Sequence, residues 1–200
     1  MNSQIESLNY LFISKVRVDL LKLFFFNSAR KFHIREATRL VDQELNAVRR
    51  ELMRLSAAQL LITEKKGNRV YFYLNLNFLY FKDIQSMFFK RFGLGSAILN
   101  AGESIGVVRN AIVLEPYLNK NKSTPTDLDF VLIGEIDAEK VDAIIQKIQE
   151  EEKYEINYAI LKPLEFDLRI RRRDAVAWGW VVGNKVEVIG NLMLDMKKLV

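Results

Sequence analysis

Residues 42–75 constrain this chain most, because a helical periodicity and a strand-like pattern follow one another there almost without a gap. In ELNAVRRELMRL, Leu45, Val48, Leu52 and Leu55 recur at helical spacing and predict a helix over 44–55 with one buried face. Glu44, Asn46, Arg49, Arg50 and Arg54 fall on its other face. Residues 60–64 (LLITE) and 69–74 (RVYFYL) are then β-rich. They flank Lys65-Lys66-Gly67-Asn68, where glycine and asparagine tolerate the positive φ of a tight hairpin.

Upstream, KVRVDLLKLFFF places Val16, Leu20, Leu23 and Phe24 on one stripe and predicts a core-facing helix over 15–26. After the polar break NSARK, Ile34, Ala37 and Leu40 predict a short second helix, with His33 as a helix-start or packing residue. Asp42 stands where an N-cap of the third helix is expected. Three helices followed by a hairpin with a basic tip is the order of a winged helix-turn-helix. A further helix over 79–92 carries the stripe Phe81, Ile84, Phe88 and Phe92, a candidate for dimer or interdomain packing. Gly93-Leu94-Gly95 then predicts a stop and a domain boundary, dividing the chain into 1–94 and 95–200.

The charge divides at the same place. Residues 1–95 hold 16 Lys+Arg against 8 Asp+Glu, a net +8, whereas residues 96–200 hold 14 against 17, a net −3. A basic half suits a polyanion, since releasing counterions from phosphates drives association, although an ordinary solvated basic face has the same charge. With no cysteine and one histidine, disulfides, thiolate metal sites, thiol nucleophiles and a His-rich zinc site are excluded, and no metal site is expected. The most apolar stretch, Leu20 to Phe26, is short and contains Lys22, and MNSQIESLNY lacks the pattern of a secretory leader. A soluble cytoplasmic protein with no membrane partner is the expectation.

In a helix-turn-helix the second helix of the pair enters the major groove and must offer hydrogen bonds to base edges. Gln43, Asn46, Arg49 and Arg50 have that chemistry, with Arg54 on the same helix, and Lys65, Lys66 and Arg69 on the wing suit backbone phosphates. The stretch from Phe32 to Asn75, with LVDQELNAVRRELMRLSAAQLLITEKKGNRVYFYLN at its centre, resembles the ArsR-like winged-helix transcriptional regulators. The resemblance implies double-stranded DNA as partner. Winged helices usually read paired half-sites as dimers, so a homodimer is expected. Gln59 departs from the pattern, at a turn where such domains usually place glycine, and the thiolate metal sensing of that family has no cysteines here.

The second half predicts a helix near 96–103, strands at 111–115 and 130–134, an amphipathic helix over 138–152 with Val141, Ile144, Ile145 and Ile148 inward, and a strand at 156–161. A helix around Pro163 to Arg172, a hairpin or short strand at KVEVIG and a closing helical turn, LMLDMKKLV, complete it. Asp127 and Asp129 are spaced to point two carboxylates to one side of a strand edge, where a pair can hold Mg²⁺ against a nucleotide triphosphate. The segment AIVLEPYLNKNKSTPTDLDFVLIG is similar to a minimal nucleotidyltransferase domain. Against that pattern, Glu115 and Pro116 replace the phosphate-cradling Gly-Ser, Asn119 and Lys120 replace an arginine-glycine pair, and Asn157 replaces the third carboxylate. Asp127 and Asp129 are therefore vestigial candidates, a relic or a turn and strand-capping pair. The basic run Arg169, Arg171, Arg172 and Arg173 predicts a helix end, with an extension of a DNA or nucleotide-phosphate surface as the alternative, and Trp178 and Trp180, near the last strand, are expected in the core or at a domain interface.

The expected fold is α+β: a winged helix-turn-helix followed by a small α/β nucleotidyltransferase-like domain with a mixed sheet. The expected function is a DNA-binding transcriptional regulator whose second domain is a pseudoenzyme, without cofactor, serving assembly or sensing of a nucleotide or small-molecule effector. The alternative is an active Mg²⁺-dependent nucleotidyltransferase that modifies a protein or RNA, as in toxin-antitoxin systems.

Overall fold

The fold, seen in a computed structural model, is α+β and divides into two compact units, Met1–Phe88 and Phe89–Val200. The structure describes residues 14–197; the opening segment read for a leader and the last three residues of LMLDMKKLV lie outside them.

In the first unit, α1 (Lys15–Phe25) starts at Ser14, whose hydroxyl accepts from the Arg17 amide. Its core face is Val18, Leu20, Leu21, Phe24 and Phe25, while Val16 and Leu23, expected in the stripe, are half-buried. A strand absent from the sequence expectation follows, β1 (Phe32–His33), too short for any period to show. α2 (Ile34–Val41) begins at His33, whose Nδ1 accepts from the Arg35 amide, and buries Ala37 while Leu40 is exposed. α3 (Leu45–Ala57) buries Val48, Leu52 and Leu55. Leu45, expected in that stripe, is 43% exposed at the first position of the helix. Asp42 is not the N-cap of α3: it closes α2 in a left-handed conformation, φ 49°, and Glu44 caps α3 instead.

β2 (Leu61–Lys66) and β3 (Arg69–Leu74) pair antiparallel up to Lys66 opposite Arg69. The hairpin loop is thus Gly67-Asn68 alone, and Lys65 and Lys66, expected at the tip, lie in the strand. Gly67 has φ +58°, which a two-residue primed turn requires. The sheet order is β1-β3-β2, and Phe24 meets Phe32 edge-to-face at 5.3 Å beneath it. Gln59, where the resemblance calls for glycine, takes φ +64° before β2. A left-handed residue with a Cβ is strained, so Gln59→Gly is expected to raise the unfolding free energy by about 0.5–1 kcal/mol in a urea titration. An unchanged midpoint would show that the turn bears no strain.

The boundary between the units falls inside α4 (Phe81–Arg91). Phe81 and Phe88 are buried and lie 5.5 and 5.6 Å from the Phe25 ring, so these two members of the expected stripe pack in the first unit's own core. Ile84 and Phe92 are half-buried. Gly93-Leu94-Gly95, expected as a stop, opens α5 (Gly93–Ala101): Gly93 turns at φ +61°, and a Cβ on Gly95 would meet the Phe89 carbonyl at 2.1 Å.

The second unit continues with a 3₁₀ turn (Gly102–Ile105), β4 (Gly106–Leu114), α6 (Glu115–Asn119), β5 (Phe130–Ile136), α7 (Ala138–Glu152) and β6 (Tyr158–Leu161). Glu115, expected at a strand end, opens a helix. α8 (Pro163–Arg171), α9 (Ala175–Val182), β7 (Lys185–Ile189) and α10 (Leu192–Lys197) follow. The sheet is mixed, β6-β5-β4-β7, with β5 and β6 parallel and the other pairs antiparallel. Ile112, Leu114, Val131 and Ile133 pack with residues of α8, α9 and α10. α5 lies near β4 and β7 and packs beside α7. α9 is another element absent from the sequence expectation: AVAWGWVV is apolar nearly all round and shows no stripe, and Trp178 and Trp180 belong to this helix.

Candidate functional site

α2 and α3 are joined by Asp42, Gln43 and Glu44, and that short turn aims the amino-terminal end of α3 outward. Glu44 accepts from the amides of Asn46 and Ala47, each at 2.8 Å. These backbone hydrogen bonds hold its carboxyl below the ordinary glutamate range, so its charge is committed to the helix end. Gln43 is also tied down, donating to Asp19 at 2.9 Å.

Some basic residues of the first unit have carboxylate partners and others do not. Arg17 and Arg54 flank Glu51, which is 4% exposed, at 2.8 and 2.7 Å; Arg30 pairs with Glu36, and Lys31 and Lys66 pair with Glu64. Arg35, Arg49, Arg50, Lys65 and Arg69 are exposed and make no ion pair among the described residues. Of the eight residues expected to meet DNA, Asn46, Arg49 and Arg50 on α3 and Lys65 and Arg69 on the wing strands are therefore the open ones. Gln43, Arg54 and Lys66 already have intramolecular partners. Sequence reading missed Arg35, whose signal was only its position at the start of α2. Between α3 and the wing runs a groove of about 360 Å³ lined by Arg35, Leu45, Asn46, Arg49, Met53 and Val70 among others, with no acidic residue among the described residues of its wall.

Glu51 pins α3 to α1. Burial raises its carboxyl pKa, but the hydrogen bonds from Arg17 and Arg54 outweigh that and leave it below its ordinary 4.5. A depressed carboxylate stabilises the fold fully above its unfolded value, and the contribution fades as pH falls through the folded value. Urea midpoints of the first unit are thus expected to fall below about pH 4.5, and to fall less in Glu51→Gln, which has no such proton to gain. Identical pH profiles for the two proteins would contradict this.

The paired aspartates of the second unit do not converge. Both precede β5, which starts at Phe130 as expected. Asp127 closes its own loop, accepting from the amides of Ser123 and Thr124 at 2.8 and 3.0 Å and from the Thr124 hydroxyl at 2.6 Å. Those bonds, the Thr124 hydroxyl foremost, lower its pKa. Asp129 is fully buried. Its Oδ1 accepts from the Tyr154 hydroxyl at 2.7 Å, and its Oδ2 accepts from the Asn157 amide at 2.8 Å and faces the Lys122 ammonium at 2.9 Å. Asn157, at the place of a third carboxylate, donates its side-chain amide to the carbonyls of Pro125 and Asp127. Lys120 sits 3.2 Å from the centroid of the Tyr117 ring and 2.5 Å from Glu152; burial lowers its pKa despite that carboxylate. Burial and Glu152 also push the Tyr117 hydroxyl well above its usual value.

This donor set does not fit the divalent ion that the nucleotidyltransferase pattern calls for. The two carboxylates face different partners, and a lysine stands where a metal would neutralise Asp129. Lys122 and Tyr154 escaped sequence reading because the contacts that define their roles span 7 to 25 residues of chain.

No family model and no curated protein matches the chain. A solved structure to which it is similar is reduced HlyU from Vibrio cholerae, at 17% identity and a TM-score of 0.32, over 45% of this chain and 90% of that one. Among the described residues no helix is long and apolar enough to cross a membrane.

Proposed function

We propose that this chain is a cytoplasmic DNA-binding transcriptional regulator. The first unit acts as a winged helix-turn-helix, with α3 in the major groove and the β2-β3 wing against the phosphates. The observation that carries this reading is the clustering of Arg49, Arg50, Lys65 and Arg69 on α3 and the wing, beside Asn46: all are exposed, the four cations make no ion pair among the described residues, and no acidic side chain among the described residues lines the groove between the two elements. A single α3 spans only a half-site, so a homodimer on paired half-sites is part of the proposal. Fluorescence anisotropy with labelled duplex at low ionic strength tests it. Binding that weakens steeply with added salt is expected, and no retention of any duplex sinks the reading.

The second unit, in this proposal, is a nucleotidyltransferase-like domain that performs no transfer. Support comes from Lys122 on Asp129 and from the loop hydrogen bonds that occupy Asp127. Transfer assays with radiolabelled ATP and Mg²⁺ are expected to show no labelling; labelling lost in Asp127→Ala would favour the enzyme. An effector would fit the groove of about 630 Å³ between α5 and α7, whose wall includes Arg91, Ser96, Asn100 and Lys147, within the size range of small-molecule sites.

A further inference from the structure

The first residue of α3 is a leucine in the open. Leu45 is 43% exposed, and along the same groove Met53 is 58% and Val70 on the wing 40% exposed. Leu45, Arg49 and Met53 recur every fourth residue, so they form one line on the helix, with Asn46 beside it. Exposed apolar side chains interleaved with an arginine and an amide, in a groove without acidic residues, suit a surface that is both anionic and locally apolar. The major groove of DNA offers one such apolar group at base edges, the 5-methyl of thymine. Residues at the amino-terminal end of a recognition helix are the ones that reach base edges.

We infer that Leu45 reads a thymine methyl, and that the preferred duplex carries a T·A pair where the start of α3 meets it. Asn46, exposed on the next position, has the bidentate amide that suits adenine N6 and N7, so the two neighbouring side chains select A·T composition together. This assignment rests on the duplex-binding reading above and adds to it the sequence class.

The test uses the full chain. Duplexes are selected from a randomised pool with the wild type, and thymines of the winning site are replaced one at a time by uracil, which lacks only the methyl. Wild type is expected to lose roughly fourfold in affinity at one position, the value of one buried methyl-sized group. Leu45→Ala is expected to bind thymine and uracil duplexes equally; the side chain is half out of the fold, so the variant stays folded. A selected duplex indifferent to uracil at every position overturns the Leu45 assignment and leaves duplex binding standing. Failure to select any duplex removes the reading on which it rests. An equal uracil penalty in Leu45→Ala overturns the assignment too, by placing the methyl against another residue.

Discussion

Asp129→Ala is expected to lower the stability of the second unit by about 3–5 kcal/mol, a large share of the 5–15 kcal/mol that holds a typical domain folded. The carboxylate is fully buried and satisfies three donors at once, the Lys122 ammonium, the Tyr154 hydroxyl and the Asn157 amide. Removing it takes the ion-pair partner from a largely buried ammonium and the acceptor from the Asn157 amide, and leaves the Tyr154 hydroxyl only the Pro116 carbonyl at 3.3 Å, which costs more than the ion pair itself contributes. Both tryptophans of the chain, Trp178 and Trp180, lie on α9, so their fluorescence follows the unfolding of this unit selectively. A denaturant midpoint that scarcely moves would show that Asp129 is no keystone. Asp127→Ala, whose partners are confined to an exposed loop, is expected to shift the midpoint far less.

The second large effect concerns DNA. Arg50→Ala is expected to weaken a selected duplex by about 1–3 kcal/mol if the side chain meets a guanine edge, with relaxed preference at one base pair. Lys65→Ala or Arg69→Ala should instead weaken all duplexes alike and flatten the slope of log affinity against log salt by about 0.9 each, the signature of one lost phosphate contact. Lys66→Ala should do less, since Lys66 already faces Glu64 at 3.3 Å. Equal, sequence-blind losses from Arg50 and Lys65 would place both on the backbone and remove α3 as the reading element.

The legibility of the site follows the range of the interactions that make it. Asn46, Arg49 and Arg50 were identifiable because their exposure is the complement of a stripe, Val48, Leu52 and Leu55, written at helical period. Which cations are open was not identifiable: Arg54 and Lys66 look like Arg50 and Lys65 until Glu51 and Glu64 take them up. The cap of α3 was misplaced by two residues for a related reason. Asp42 has the better intrinsic cap chemistry, but the left-handed turn that ends α2 consumes it and leaves Glu44 to meet the amides.

By itself, then, the sequence determined the helices and the hairpin of the first unit to within about two residues, the alternation of strands and helix at the centre of the second, and the contrast in charge between them. Those are local or additive properties, carried by period and composition. Only the tertiary structure decided that Leu45 faces outward, that Phe81 and Phe88 of α4 close onto Phe25, and that Asp129 turns away from Asp127 to a lysine. Each depends on which distant side chain arrives at short range, and electrostatic and packing energies at 3–6 Å cannot be read from spacing along a chain.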